Sequence, residues 1–293
     1  MDIRNVQKTG NMHYVYLPTS WCKQYKISSS SKVSITSNND GSLTVSPDTR
    51  EAEQHHLTLD IPSATPSMLI KLIMACYINP TQSFTLKLAK QTNLAALLDK
   101  RKSISALEFV ELEGDTITHE SSISIKDPKT LLKTMVKKIH SLSHVMIDNY
   151  DLDLINRYEE EIDKSKLLIT KSVVSSLAEN VAMTIKPLDL HYIALVASHL
   201  ERMVDSLILV DRKETAFLKQ VSSILESLKE LTDQLSSLDL TRVIAFEALA
   251  TGLRTPDVNN IKTYGMRRIR INLNKVTEVL FDWVISNKIA KNK

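Results

Sequence analysis

Apolar residues spaced three and four apart, sustained from residue 127 to the end, restrict more than half of this chain to a helical fold. Leu131, Leu132, Met135, Val136, Ile139 and Leu142 mark the first stripe, with the period of a helix that buries one face. Asp127 followed by Pro128 starts it. The carboxylate caps free N–H groups, and proline at the first helical position forfeits no hydrogen bond. The same period predicts helices over 151–186, 189–210, 214–236, 240–253 and 257–289. Pro187, Asp211-Arg212-Lys213, Ser236-Ser237-Leu238-Asp239 and Thr255-Pro256 interrupt the pattern. Six helices joined this briefly build two three-helix units or one elongated antiparallel bundle. The two halves share little sequence, so a repeat is expected in architecture only.

The first 126 residues follow another rule. Tyr14-Val15-Tyr16-Leu17 and Val33-Ser34-Ile35-Thr36 predict strands, and Asn38-Asn39-Asp40-Gly41 predicts a hairpin before Leu43-Thr44-Val45. A β-rich piece over 1–47 buries too little apolar surface to stand alone, so a second copy of itself is the expected partner. Residues 48–126 predict a small α/β connector. Its strands are Leu57–Ile61, Ser83–Leu88, Ala106–Leu112 and Ile117–Ile125, and its helices are Pro66–Tyr77 and a short one over Leu94–Lys100. Leu69, Leu72, Ile73 and Cys76 share one face of the longer helix. The whole reads as a multi-domain α+β chain: module 1–47, connector 48–126, helical domain 127–293.

Composition excludes more than it selects. Only 5 glycines are present, too few for a glycine-rich phosphate cradle. Cys22 and Cys76 supply neither a disulfide framework nor zinc-finger spacing. No apolar run reaches the length of a membrane span, so no membrane insertion is expected. The opening Met1-Asp2-Ile3-Arg4-Asn5 lacks the apolar run of a signal peptide, so a cytoplasmic location is expected. The net charge of +3 is too mild to point to nucleic acid by itself. Its distribution says more: residues 1–34 hold Arg4, Lys8, Lys23, Lys26 and Lys32 against Asp2 and no glutamate. A dimer doubles that bias, which suits contact with DNA phosphates.

Two carboxylate pairs stand out in the helical region. Glu159 and Asp163 are four apart, and so are Glu201 and Asp205, which puts each pair on one helix face. Stacked like charges repel, and a cation held by hard oxygen ligands relieves the repulsion. Magnesium, manganese, iron or calcium suit such a set, and zinc remains possible. A solvated acidic face is the ordinary alternative.

The surrounding residues resemble a known family. Glu159-Glu160-Glu161-Ile162-Asp163, together with His199-Leu200-Glu201-Arg202-Met203-Val204-Asp205, resembles the paired acidic motifs of the PhoU phosphate-signalling proteins. The resemblance implies a metal at Glu159, Asp163, Glu201 and Asp205, divalent or trivalent: iron, manganese, magnesium or zinc. It also implies two three-helix units. Arg4-Asn5-Val6-Gln7-Lys8-Thr9-Gly10, then Tyr14-Val15-Tyr16-Leu17-Pro18 and Trp21, resembles the swapped-hairpin AbrB/SpoVT module. Archaeal PhoU-like regulators carry that module ahead of an α/β connector and the helices. The implied protein is a homodimer, not an enzyme, that regulates transcription of phosphate uptake and contacts DNA through Arg4, Lys8, Thr9, Asn11 and His13. A phosphate transporter ATPase or a sensor kinase is a further implied partner.

Two departures accompany the resemblance. Ser29-Ser30-Ser31-Lys32 stands where the module usually has a Lys-Gly-Asp-like turn. Met266-Arg267-Arg268-Ile269-Arg270-Ile271 carries no carboxylate where the second three-helix unit would hold its acidic set, so a second site of that kind is not expected.

Other groups are weighed here too. His140, His144 and Asp148 have metal-ligand spacing, but no second motif supports them, and a surface or interhelical role is the expected one. Arg254, Lys262, Arg267, Arg268, Arg270 and Lys275 are read as a solvated helix face, with phosphate or an acidic partner as the alternative. Glu278 and Asp282 are read as surface. The rival reading of the whole chain is an adaptor that docks on a transporter or kinase, its N-terminal module merely dimerising. Hydrolysis at a bridged metal pair would need a nucleophile or base beside the carboxylates, and none accompanies them.

Overall fold

The computed structural model describes residues 3–37, 41–47, 56–62, 65–80, 83–88, 110–120, 127–178 and 185–291. Backbone contacts divide the chain into two units, Met1–Glu53 and Gln54–Lys293. It is a mixed α+β protein with small sheets and a helical C-terminal region. Among the described residues, no helix is long and apolar enough to cross a membrane.

The first unit holds two separate hairpins. β1 (Gln7–Thr9) pairs antiparallel with β2 (Met12–Tyr14). Gly10, at φ +61, occupies the first central position of the two-residue turn, where an L side chain would be strained. The sequence predicts a strand over 14–17, but only Tyr14 is in one. The ladder ends at the Gln7–Tyr14 pair, and Val15–Leu17 continue without a strand beside them. Helix α1 (Thr19–Gln24) follows, and Lys26 then adopts φ +52. The turn built without glycine is closed by serines: Ser31 N donates to Ser28 O, and Ser28 N donates to Ser31 Oγ.

β3 (Val33–Ser37) and β4 (Leu43–Pro47) form the second hairpin. Val33, Ile35, Leu43, Val45 and Pro47 share one face with Ser37 at its end, and Ser34, Thr36, Thr44 and Ser46 share the other. Yet no described residue of this unit is buried.

In the second unit, β5 (His56–Ile61) runs parallel to β6 (Ser83–Leu88), with α2 (Pro66–Ile78) as the crossover. β7 (Glu111–Glu113) and β8 (Thr116–Glu120) complete a mixed sheet in the order β5-β6-β8-β7. Ile61, Leu69, Ile73, Cys76, Phe84 and Leu86 form its core. Leu72, expected on the buried face of α2, is only partly covered there, and Tyr77 is buried instead. The helix expected over Leu94–Lys100, the start of the strand from Ala106 and the end of the one reaching Ile125 lie outside the described residues.

Six helices follow: α3 (Pro128–Asp148), α4 (Leu152–Ala178), α5 (Pro187–Leu207), α6 (Thr215–Asp233), α7 (Leu240–Gly252) and α8 (Ile261–Lys291). Side chains start several of them. Asp127 Oδ1 accepts from Lys129 N at 3.1 Å, and Asp151 Oδ1 from Asp153 N at 2.9 Å. The last helix begins later than the expected residue 257. Asn260 Oδ1 accepts from Lys262 N and Thr263 N, each at 2.9 Å, so the cap falls there. The segment over 179–184, expected to be helical, lies outside the described residues.

One continuous core runs through all six helices. α3, α4 and α5 pack on one another; α6 packs on α3 and α7, and α8 packs on α5 and α7. Trp283 is fully buried, and its Nε1 donates to Asp189 Oδ1 at 2.8 Å. The connector joins this body through α2, where Tyr77 and Leu167 pack together and the Lys171 ammonium lies 3.9 Å from the Tyr77 ring centre.

Candidate metal centre

Two core stripes determine where the carboxylates stand. On α4, Ile155, Ile162, Ser165 and Ile169 face inward; on α5, Leu200, Met203, Val204 and Leu207 do so. Glu159 and Asp163 flank the first stripe, Glu201 and Asp205 the second. Packing α4 on α5 therefore carries both acidic pairs to one seam.

Asp163, Glu201 and Asp205 each offer an oxygen there, all within 4.8 Å of one another. Asp163 and Glu201 are half-buried and Asp205 is exposed. Glu159, one turn back, lies outside this group of three but remains close enough to act on Asp163 and Asp205. All four carboxyls are held above their ordinary range. Burial, then repulsion from Glu201, Asp205 and Glu159, pushes Asp163 up to about 6. Burial comes first for Glu159, Glu201 and Asp205 as well. Asp205 is exposed at its outer edge, but the packed helices still strip enough water from it to raise it.

The chain supplies cations of its own. Lys166 Nζ stands 3.9 Å from Glu201 Oε1 and favours ionised Asp163 and Asp205 as well. Arg202 favours ionised Glu201 and Asp205, and so does Arg268 of α8 for Asp205. These charges leave Asp163 still raised. Lys166 is readable in the sequence, three residues beyond Asp163. Arg268 is not, because nothing local ties α8 to α5. Gly265 makes that approach close: a Cβ there would stand 3.0 Å from Ser206 O. Thus the helix lacking the expected carboxylates brings a guanidinium to this seam. Three oxygens from two rigid helices can hold a divalent cation with positions left for water or an anion's oxygens.

Set against protein-family models, curated proteins and solved structures, the chain finds no match in any of the three.

The residues expected at DNA lie on the first hairpin and just before it. Lys8 of β1 and His13 of β2 are cross-strand partners, so they share a face. Thr9 is on the other face, where its Oγ1 lies 2.9 Å from the Tyr14 hydroxyl. Asn11 sits in the turn, Arg4 precedes β1, and all five residues are exposed. Glu278 and Asp282 are exposed, and Lys275 Nζ donates to Glu278 Oε2 at 2.7 Å. Among the other basic residues, Lys262 pairs with Asp211 and Arg267 is exposed.

Proposed function

We propose that this chain is a metal-binding regulator of phosphate uptake, similar to PhoU proteins, that dimerises and contacts DNA through an AbrB/SpoVT-like module. The observation that carries the metal part is the meeting of Asp163, Glu201 and Asp205 within 4.8 Å at a helix seam that already raises all three carboxyls. The phosphate part rests on the likeness of the two acidic motifs to those of PhoU proteins. The DNA part is supported by the exposed Lys8 and His13 on one face of the first hairpin.

The mechanism is linkage. Without a cation the seam is stressed by like charge, and with one α4 and α5 are drawn together. Asp163, Glu201 and Asp205 would hold the ion, which would supply positive charge for a phosphate anion, while Arg202 or Arg268 would offer N–H donors beside it. The dimeric module reads the outcome as altered affinity for DNA.

Titrating the full chain against duplexes from upstream of phosphate-transport genes, with manganese and with chelator, tests this. Affinity should fall steeply between about 50 and 200 mM salt, and replacing Arg4 and Lys8 by Ala should flatten the salt slope by about one to two. Manganese should change affinity for the upstream duplex more than for a scrambled one. Binding that is indifferent to salt, or absent at about 50 mM, would favour the adaptor reading instead.

A further inference from the structure

Away from the carboxylate seam, α3 and α6 assemble a second set of metal-ligating groups, one that contains nitrogen. His140 and His144 stand one turn apart on α3 with their Nε2 atoms 3.2 Å apart and the rings edge to face. Glu226 reaches across from α6, placing Oε2 2.8 Å from His140 Nε2. On the far side of the pair, His144 Nδ1 lies 3.4 Å from Asp148 Oδ2. The interhelical role expected of the histidines is present, but the spacing between the two rings asks for more.

Two Nε2 atoms this close cannot both carry a proton toward each other. With His144 Nδ1 facing Asp148 Oδ2 at 3.4 Å, a proton on that nitrogen would leave Nε2 of the same ring as a lone pair. His140 Nε2 then carries the one proton between the two rings, with Glu226 Oε2 2.8 Å from it. Burial holds His140 below its ordinary range despite Glu226, with the neighbouring His144 and Lys229 pulling the same way, so the ring is neutral near pH 7. Replacing that single proton by a metal ion turns all three atoms into ligands.

We propose that His140, His144 and Glu226 form a zinc site that ties α3 to α6, with Asp148 orienting His144. Two imidazoles and one carboxylate are the donors of open zinc centres, and tetrahedral bonds of about 2.0–2.1 Å set neighbouring nitrogens about 3.3 Å apart. The 3.2 Å between the two Nε2 atoms already meets that edge. Glu226, whose Oε2 lies 2.8 Å from His140 Nε2, would swing toward His144 to close the third corner. A carboxylate behind a ligating histidine is the usual means of fixing its tautomer. Lys229, 3.1 and 3.2 Å from the two oxygens of Glu226, is the resident cation that zinc must outcompete. Imidazole nitrogen separates this site from the all-oxygen seam, since magnesium prefers the latter.

The test is equilibrium dialysis of chelator-washed full-length protein against zinc chloride with excess magnesium present. One zinc per chain is expected at micromolar concentration. It should persist in Asp163→Asn with Asp205→Asn, weaken at least about tenfold in Glu226→Gln, and vanish in His140→Gln with His144→Gln. Should the histidine variant misfold, cobalt absorption of the parent decides. Strong visible bands of four-coordinate cobalt are expected, and a pale six-coordinate spectrum would overturn the proposal. So would zinc binding unchanged by the histidine substitutions, zinc lost with the seam carboxylates, or no zinc bound at micromolar concentration.

Discussion

The β3–β4 hairpin and helix α5 each have a mainly apolar face, yet they treat it in opposite ways. On α5, Leu190, Ile193, Leu200, Met203 and Leu207 are wholly buried. On the hairpin, Ile35 and Leu43 are 63% and 65% exposed. The difference is what lies opposite. α5 meets α3, α4 and α8, whereas two short strands have one another as edge partners, and among the described residues of their unit nothing buries the face they share. Periodicity defines a face; only a second layer makes it a core. The helical body holds its own core, whereas no described residue of the N-terminal unit is buried.

The most severe test removes a keystone from the complete side. Trp283→Ala should cost the helical body ~3–5 kcal/mol in chemical denaturation, from the cavity together with the lost hydrogen bond to Asp189. A cost below ~1 kcal/mol would mean the six helices do not share one core.

On the incomplete side, Ile35→Lys with Leu43→Lys should weaken self-association by at least ~2 kcal/mol in sedimentation equilibrium. The melting of the helices should stay where it was. If the dimer constant moves less than about threefold, the partner surface lies elsewhere and the exposed hairpin face is not what the second copy covers.

A third measurement asks how far the complete side tolerates its own acidic seam. The folded Asp163 carboxyl titrates at about 6, above the ~3.9 of an unfolded chain. The folded state therefore holds that proton longer. Stability is full below pH ~4 and falls as pH rises through about 6, by on the order of 1 kcal/mol once solvent screening is allowed for. Asp163→Asn should shrink the fall in metal-free protein, leaving the smaller part due to Glu159, Glu201 and Asp205. Manganese should oppose it in the parent, raising the melting temperature with concentration, and should do neither in Asp163→Asn with Asp205→Asn. Identical responses in parent and double variant would make the carboxylates a solvated face.

The smallest effect returns to the first unit. Lys26→Gly relieves a left-handed residue at φ +52 and should stabilise that unit by ~0.5 kcal/mol in hydrogen exchange. A loss of protection would show that the lysine side chain holds the turn.

Local chemistry was legible wherever a cause lies within a few residues. Asp127 and Pro128 start α3 as their types require, and hydroxyl residues alternate with apolar ones along β3 and β4. The ends of α8 and β2 were misplaced for tertiary or competing local reasons. Asn259, Asn260 and Thr263 hydrogen-bond among themselves and move the start of α8, while Val15–Leu17 have strand-forming residues but no neighbouring strand.

The sequence by itself determined which residues share a face: Glu159 with Asp163, Glu201 with Asp205, His140 with His144. Helix geometry enforces those pairs without reference to anything distant. Tertiary structure decided which pairs meet. It brought Asp163 to Glu201 and Asp205, left Glu159 a turn away, carried Arg268 to the seam over Gly265, and set Glu226 against His140. Those contacts depend on how six stripes pack at once, and a periodic pattern read one helix at a time contains no term for the helix across from it.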